Sequence, residues 1–177
     1  MLNKDFSLRM FDLDVRLVED SDAEFIVGLR SDIERTTYMV SVENDINKQI
    51  TWINNYKIQE KKGTDYYLLY LKNGVKIGVN RISHIDLVNK RGKLANWIKI
   101  RSEKGDANAM FKIWIYIYFE VLGLDNFFSD VHIDNVRCLS YFKECGFTID
   151  DDVNLRGYVN IYGSKEQYIK WKANMIL

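Results

Sequence analysis

The chain has 177 residues, of which 47% are hydrophobic and 28% charged, and its 25 Lys and Arg balance 25 Asp and Glu. That length and composition fit one domain with ample material for a core and exclude long disordered stretches. Zero net charge removes the basic footprint of a dedicated nucleic-acid binder, so nucleic acid is not expected as a partner. The first clear element is Leu13–Val18, whose alternation of apolar and polar residues suits a half-buried strand. Ser21 with Glu24 reads as a capping box opening a helix through Phe25, Ile26 and Leu29. Residues 31–45 are polar and irregular apart from the stretch Tyr38–Val42. Helical spacing returns with Ile46, Ile50, Ile53 and Lys57, flanked by Trp52 and Tyr56, and should stop near Gly63.

Tyr66–Leu71 and Val75–Ile82 are strand-like runs joined at Asn73–Gly74, a pair that tolerates the positive φ of a tight hairpin turn. A second turn at Asn89–Gly92 leads into Lys93–Ile100 and completes a three-stranded meander. Ala107–Leu122 is rich in β-branched and aromatic residues, which favours a strand. Its length, the lack of an internal turn signal and the closing Gly123 favour a buried helix, with the Trp114/Tyr118 stripe as core. Asn126–Ile133 follows as a strand and Asn135–Cys145 as a helix stopped by Gly146. A strand, helix, strand run of this length requires a crossover, so the fourth and fifth predicted strands pair in parallel. Phe147–Ile149 and Arg156–Tyr162 close the sheet, and Ser164 with Gln167 caps a last helix through Trp171. The expected order is β-α-α-β-β-β-α-β-α-β-β-α in a single domain over 1–177.

Cys138 and Cys145, the only cysteines, fall on one predicted helix face and are read as packing residues rather than as a disulfide or nucleophile pair. The N-terminus has no apolar leader and no stretch reaches the roughly 18 uncharged apolar residues of a membrane span, so a cytoplasmic protein without membrane contact is expected. Proline is absent, so turns depend on Gly, Asn, Asp and Ser.

The chemistry lies in two segments. Between the fourth predicted strand and the long helix runs Arg101-Ser-Glu-Lys-Gly-Asp-Ala107. A Gly-containing loop leading into a helix N-terminus turns unpaired N–H groups and the positive end of the helix dipole outward, which suits a phosphate or pyrophosphate. About thirty residues on, the helix after the fifth strand reads Asn135-Val-Arg-Cys-Leu-Ser-Tyr-Phe-Lys-Glu-Cys-Gly-Phe147. Asn135, small Cys138, aromatic Phe142 and Gly146-Phe147 resemble the signature of the GNAT superfamily of N-acetyltransferases. The loop at 102–107 stands where that superfamily has its Arg/Gln-x-x-Gly-x-Gly/Ala pyrophosphate loop, and the element order agrees from end to end.

The resemblance implies an α/β fold of the α+β type. Its sheet is mixed, mostly antiparallel and of six to seven strands, with helices on both faces and the fourth and fifth strands parallel and splayed. It further implies acetyl-CoA as cosubstrate and no metal. Ser102, Lys104, Gly105, Asp106, Ala107 and Asn108 would cradle the pyrophosphate, and Ile98, Lys99 and Ile100 would pair with the pantetheine. Asn135 and Phe142 would complete the cofactor site. Splayed strands leave N–H and C=O groups that an amide-rich arm can satisfy as an added strand does, and a strand N–H can polarise the thioester carbonyl.

Two positions depart from the family pattern. Ser102 stands where the family has Arg or Gln, with Arg101 one place early. Phe142 stands at the position often occupied by the tyrosine that protonates the departing thiolate; Tyr141 is adjacent and projects about 100° away on a helix. The two histidines of the chain, His132 and His84, end strands near the expected cleft, and an intrinsic pKa of about 6.5 suits deprotonation of an amine. Asp130 and Asp86 are further carboxylate candidates. Trp97, Arg81 and Arg30 would line the acceptor side, an aromatic with two arginines suiting a phosphate or a sugar ring.

The expected reaction is transfer of acetyl to a primary amine by direct attack in a ternary complex. Within the superfamily the chain looks like the branch that includes protein N-terminal acetyltransferases and acetyltransferases of nucleotide-linked amino sugars. Its neutral charge favours the small-molecule amine over a ribosome-bound protein, and a homodimer is admitted. A nucleotide-sugar acceptor predicts a phosphate contact at Arg81 or Arg30. Ser102 and Phe142 suggest a second class, a non-catalytic acyl-CoA sensor. An RNA-binding module would need a clustered basic face, and the most basic stretch, Asn89–Lys93, is a hairpin turn.

Overall fold

The computed structural model describes residues 1–40 and 42–174, so Ser41 of the irregular segment lies outside the described residues. Strands β1 (Ser7–Met10), β2 (Leu13–Leu17), β3 (Tyr66–Lys72), β4 (Val75–Asp86), β5 (Arg91–Lys99), β6 (Asn126–His132), β7 (Thr148–Val153) and β8 (Tyr158–Ser164) form one sheet. Its order is β1-β2-β3-β4-β5-β6-β8-β7. Every neighbouring pair is antiparallel except β5 and β6, which are parallel as the crossover argument requires. The helices are α1 (Ala23–Ser31), α2 (Ile33–Thr36), α3 (Ile46–Lys61), α4 (Asp106–Tyr116), α5 (Val136–Glu144) and α6 (Lys165–Asn174).

The expected six or seven strands become an eight-stranded sheet because β1 is only four residues long. It joins β2 through Phe11 and Asp12, both at positive φ, without the Gly or Asn that signals such a turn. The helix expected over 107–122 is present, and its last turn, Ile117–Val121, widens into a π-helix before Gly123 at φ 67°. β3 runs Tyr-Tyr-Leu-Leu-Tyr-Leu because both of its faces are covered. Tyr66, Leu68 and Tyr70 join the core built on α4, whereas Tyr67 and Leu69 pack with Ile26 and Leu29 of α1 and Ile53 of α3 on the other face. On α3 the buried residues are Ile53, Tyr56 and Glu60, while Ile46 and Trp52 stand at the surface.

The expected capping box of Ser21 and Glu24 is replaced two residues earlier by Glu19 and Asp22. Asp22 is fully buried and is drawn there by Arg16, which bonds it at 2.7 and 2.9 Å, and by Lys76 at 2.7 Å. Burial alone would raise its pKa; the bonds from Arg16, Lys76 and the Glu19 N–H outweigh that and hold the carboxyl below its ordinary range. A depressed carboxylate adds stability above the unfolded value near 4, and that increment is lost as pH falls through the folded value. Asp22→Asn should therefore cost about 1.5–3 kcal/mol at pH 7 and flatten the fall in stability between pH 5 and 2. Equal acid slopes for both proteins would contradict this.

The feature that positions the site is a fork. β5 and β6 pair only over Arg91, Gly92 and Lys93 opposite Asn126, Phe127 and Phe128, then part. At the crotch, the buried Ser129 hydroxyl donates to the Leu94 carbonyl at 2.8 Å. Just beyond, β5 bulges: Ala95 faces Arg81 and Ile98 faces Val79, so Asn96 and Trp97 together oppose Asn80, with Asn96 at φ 55°.

Candidate functional site

Past the fork, β5 keeps β4 as its one strand neighbour. The Ile100 N–H is taken by the Ile77 carbonyl at 2.8 Å, so strand alternation directs the main-chain groups of Trp97 and Lys99 into the opening. The Lys99 carbonyl there accepts from Arg35 at 3.0 Å. The expected pairing surface of Ile98, Lys99 and Ile100 thus shifts by one residue, because the Ile98 side chain packs in the α1/α3 core and the Ile100 amide is spent on β4.

One side of the opening is a cleft of about 470 Å³ between the N-terminus of α4 and the outer face of α5. Gly105 caps α4 at φ 104°, a conformation that disfavours any side chain, and no atom lies within 4 Å of where a Cβ would sit. Gly105, Ala107 and Asn108 line the cleft. Asp106 N–H bonds the Glu103 carbonyl and Ala109 N–H the Gly105 carbonyl, while the N–H groups of Ala107 and Asn108 find no protein acceptor among the described residues. The local acid does not spoil this donor cluster. Buried Asp106 is paired with Lys72 at 2.8 Å; burial pushes its pKa up, but Lys72 and Ser102 outweigh it and keep the carboxyl ionised. Ser102, at the departure from the family pattern, accepts from Lys99 at 2.7 Å, and Lys104 is exposed beside the loop.

From α5, Asn135 caps its own helix by accepting from the Cys138 N–H at 3.2 Å, and its N–H donates to the His132 carbonyl. Tyr141 lines the cleft; its ring packs on Phe111 and Trp97 and its hydroxyl donates to the Asn108 side chain at 2.5 Å. Burial raises the Tyr141 pKa, so the phenol keeps its proton. Burial likewise pushes the Cys138 thiol up to about 11, leaving it neutral.

The other side is a cavity of about 380 Å³ that meets the cleft at Trp97, Asn135 and Cys138, which line both. His132 lies in its wall, stacked on Tyr38 and edge-on to Tyr158, with Nδ1 accepting from the Asp134 N–H at 3.3 Å. Asp130, also in the wall, is paired with Lys93. Arg30 reaches in from α1 and donates to the Val40 carbonyl at 2.8 Å and to Asn96 at 3.4 Å. Phe142 borders the cavity from within the aromatic core, against Phe111 and Phe127.

The remaining sequence candidates lie elsewhere. His84 is exposed at a second bulge of β4, with φ 52°, bonded to Ser83 and lining none of the cavities described. Its strand end is the one beside the paired base of the fork. Asp86 accepts from Val88 and Asn89 in the following turn. Arg81 is fixed by buried Asp65 and opens into a smaller chamber. The sequence reading missed Tyr38, the β7–β8 turn residues Asn154 and Arg156, and Tyr158 at the start of β8, which complete the cavity around His132. Asn154 organises that turn by accepting from the Arg156 and Tyr158 N–H groups, and the Tyr158 hydroxyl donates to the Tyr38 carbonyl at 3.1 Å. The local signal was the Asn-Leu-Arg-Gly turn itself; its proximity to Tyr38 is purely tertiary.

Residues 12–148 match the profile of a family described as Acetyltransferase (GNAT) domain. A solved structure described as apo FdhC, a nucleotide-linked sugar GNAT, superposes with a TM-score of 0.84 at 26% identity, over 97% of each chain. Spermidine N-acetyltransferase from Vibrio cholerae in complex with CoA and spermine superposes with a TM-score of 0.76 at 18% identity, over 89% of this chain and 98% of that one. A probable acetyltransferase superposes with a TM-score of 0.72 at 20% identity, over 92% and 98%. No curated protein matches the chain. Among the described residues no helix is long and apolar enough to cross a membrane.

Proposed function

The chain belongs to the GNAT acetyltransferase family and is an acyl-CoA N-acyltransferase, and from this we infer that it moves acetyl from acetyl-CoA to the primary amine of a nucleotide-linked amino sugar. In this reading residues 1–177 act as one cytoplasmic domain, by direct attack in a ternary complex. The observation that carries the choice of acceptor is charge. The cavity around His132 presents Arg30, Lys93 and Arg156, and its one carboxylate, Asp130, is already paired with Lys93. Two guanidinium groups thus face the acceptor without a carboxylate partner among the described residues, which suits phosphate and repels a polyamine. The nucleotide-linked sugar GNAT named above supports the same class.

Acetyl-CoA fits the cleft. The unpaired N–H groups at the start of α4 suit its pyrophosphate, and the edge of β5 at Trp97 and Lys99, which no strand covers, suits its amides, with the Lys99 carbonyl exchanging Arg35 for the arm. When bound it supplies the activated acyl group. His132 takes a proton from the incoming ammonium, the Trp97 region of β5 offers the N–H that stabilises the oxyanion, and Tyr141 protonates the departing thiolate as the C–S bond breaks. The nitrogen's second proton passes to the Tyr141 phenolate as the amide forms, which restores the phenol and balances the transfer.

The test is release of free CoA thiol with a nucleotide-linked amino sugar, spermidine and an N-terminal peptide as rival acceptors. Turnover of the nucleotide sugar is expected, and Arg156→Ala should raise its KM by about ten- to a hundredfold, the value of one charge-assisted hydrogen bond. Turnover of spermidine or peptide with silence on the nucleotide sugar would overturn the reading.

A further inference from the structure

Beside the cavity around His132, α1 and α3 enclose against β3, β4 and β5 a chamber of about 190 Å³, and we propose that this chamber is a phosphate subsite formed by Arg30 and Arg81. The proposal rests on the acceptor reading above and deepens it by saying where the acceptor's charged end lies. Arg30 and Asn96 line both the chamber and the cavity around His132, so a ligand with its amine at the fork can extend past Arg30 without leaving the protein wall.

The two guanidinium groups are prepared for an anion in different ways. Arg81 is held rigid: its Nε donates to Asp65 at 2.7 Å, a further bond joins the same carboxylate, and the plane lies over the Trp52 ring at 5.1 Å. A guanidinium has more donors than those contacts use, in a fork that matches phosphate. Arg30 is only partly bonded: besides its 2.8 Å bond to the Val40 carbonyl, its contact to Asn96 is long at 3.4 Å and its Nε is buried with no partner. No carboxylate lines the chamber, because Asp65 sits behind Arg81 and is spent on it. Gln49 and the hydroxyl of Tyr67 supply neutral donors on the same wall. Burial raises the Tyr67 pKa to about 12 even with Arg30 and Arg81 nearby to lower it, so this phenol donates rather than repels.

Trp52 is a built-in reporter because it lies in the chamber wall beneath Arg81. UDP and inorganic pyrophosphate would be titrated in the presence of saturating CoA, which fills the other cleft, and the tryptophan fluorescence compared with that of Trp52→Phe. A saturable change that disappears in Trp52→Phe is expected, weakened at least tenfold in Arg30→Gln. Arg81→Lys, which keeps a charge beside Asp65 but loses the planar fork, should weaken it as well. Equal affinity for pyrophosphate and UDP assigns the subsite to phosphate alone, whereas tighter UDP binding adds the nucleoside; either supports the proposal. No Trp52-dependent change, or the same affinity in Arg30→Gln and Arg81→Lys, would overturn it. Absence of UDP binding alongside normal turnover of nucleotide amino sugars would sink the chamber alone. UDP binding without such turnover would sink the acceptor assignment and leave the chamber standing.

Discussion

Tyr141→Phe is expected to lower kcat by about a hundredfold or more, the contribution of a positioned general acid, with acetyl-CoA KM changed no more than a few-fold. The substitution keeps the ring against Phe111 and Trp97 and removes only the hydroxyl that rests on Asn108. The family pattern places this tyrosine one residue later, where Phe142 instead completes the aromatic core with Phe111, Phe127 and Phe147. Among the described residues Tyr141 therefore carries the only tyrosine hydroxyl that lines the cleft, and burial keeps it protonated, so its proton is in place for the thiolate that leaves into the same desolvated cleft. Steady-state kinetics with saturating acetyl-CoA decide the matter. A kcat within about threefold of the unsubstituted enzyme would mean that the thiolate leaves without this proton, as its ordinary pKa of about 8–9 permits.

Phe111→Ala should cost about 3–5 kcal/mol, the range for emptying a fully buried aromatic site. That is a large share of the roughly 5–15 kcal/mol that separates folded from unfolded domains. Phe111 touches Trp97 of β5, Trp114 on its own helix, Tyr141 and Phe142 of α5 and Trp171 of α6, so one ring ties four elements together. Those neighbours include the wall shared by cleft and cavity, and activity should fall even where the variant stays folded. The urea midpoint should drop with little change in its slope; a loss below about 1 kcal/mol would show that the aromatic cluster closes over the gap.

Much of the fold was legible because local rules and tertiary needs agree. The Asn73–Gly74 turn, the length of the α4 segment and the glycine after it fix a meander and a crossover, and the crossover alone demands one parallel pair. What escaped was short or tertiary. β1 turns on Phe11 and Asp12, which carry no turn signature, and Asp22 displaced the expected cap because Arg16 and Lys76 pull it inward. His132 and His84 looked alike as histidines at strand ends, yet one stands at the open end of the fork and the other by its paired base. The acceptor side was the least legible. Tyr38 and Tyr158 meet across 120 residues of chain, and nothing in either neighbourhood announces the other.

The bond from Ser129 to the Leu94 carbonyl has a thermodynamic meaning of its own. Because a side chain satisfies that carbonyl, the seam between the parallel strands ends at a fixed point whether or not anything occupies the gap. The berth is ready-made, and its ordering entropy is settled when the chain folds. An incoming thioester arm then loses little affinity to reshaping its host, and capture should proceed in one kinetic step without a slow isomerisation.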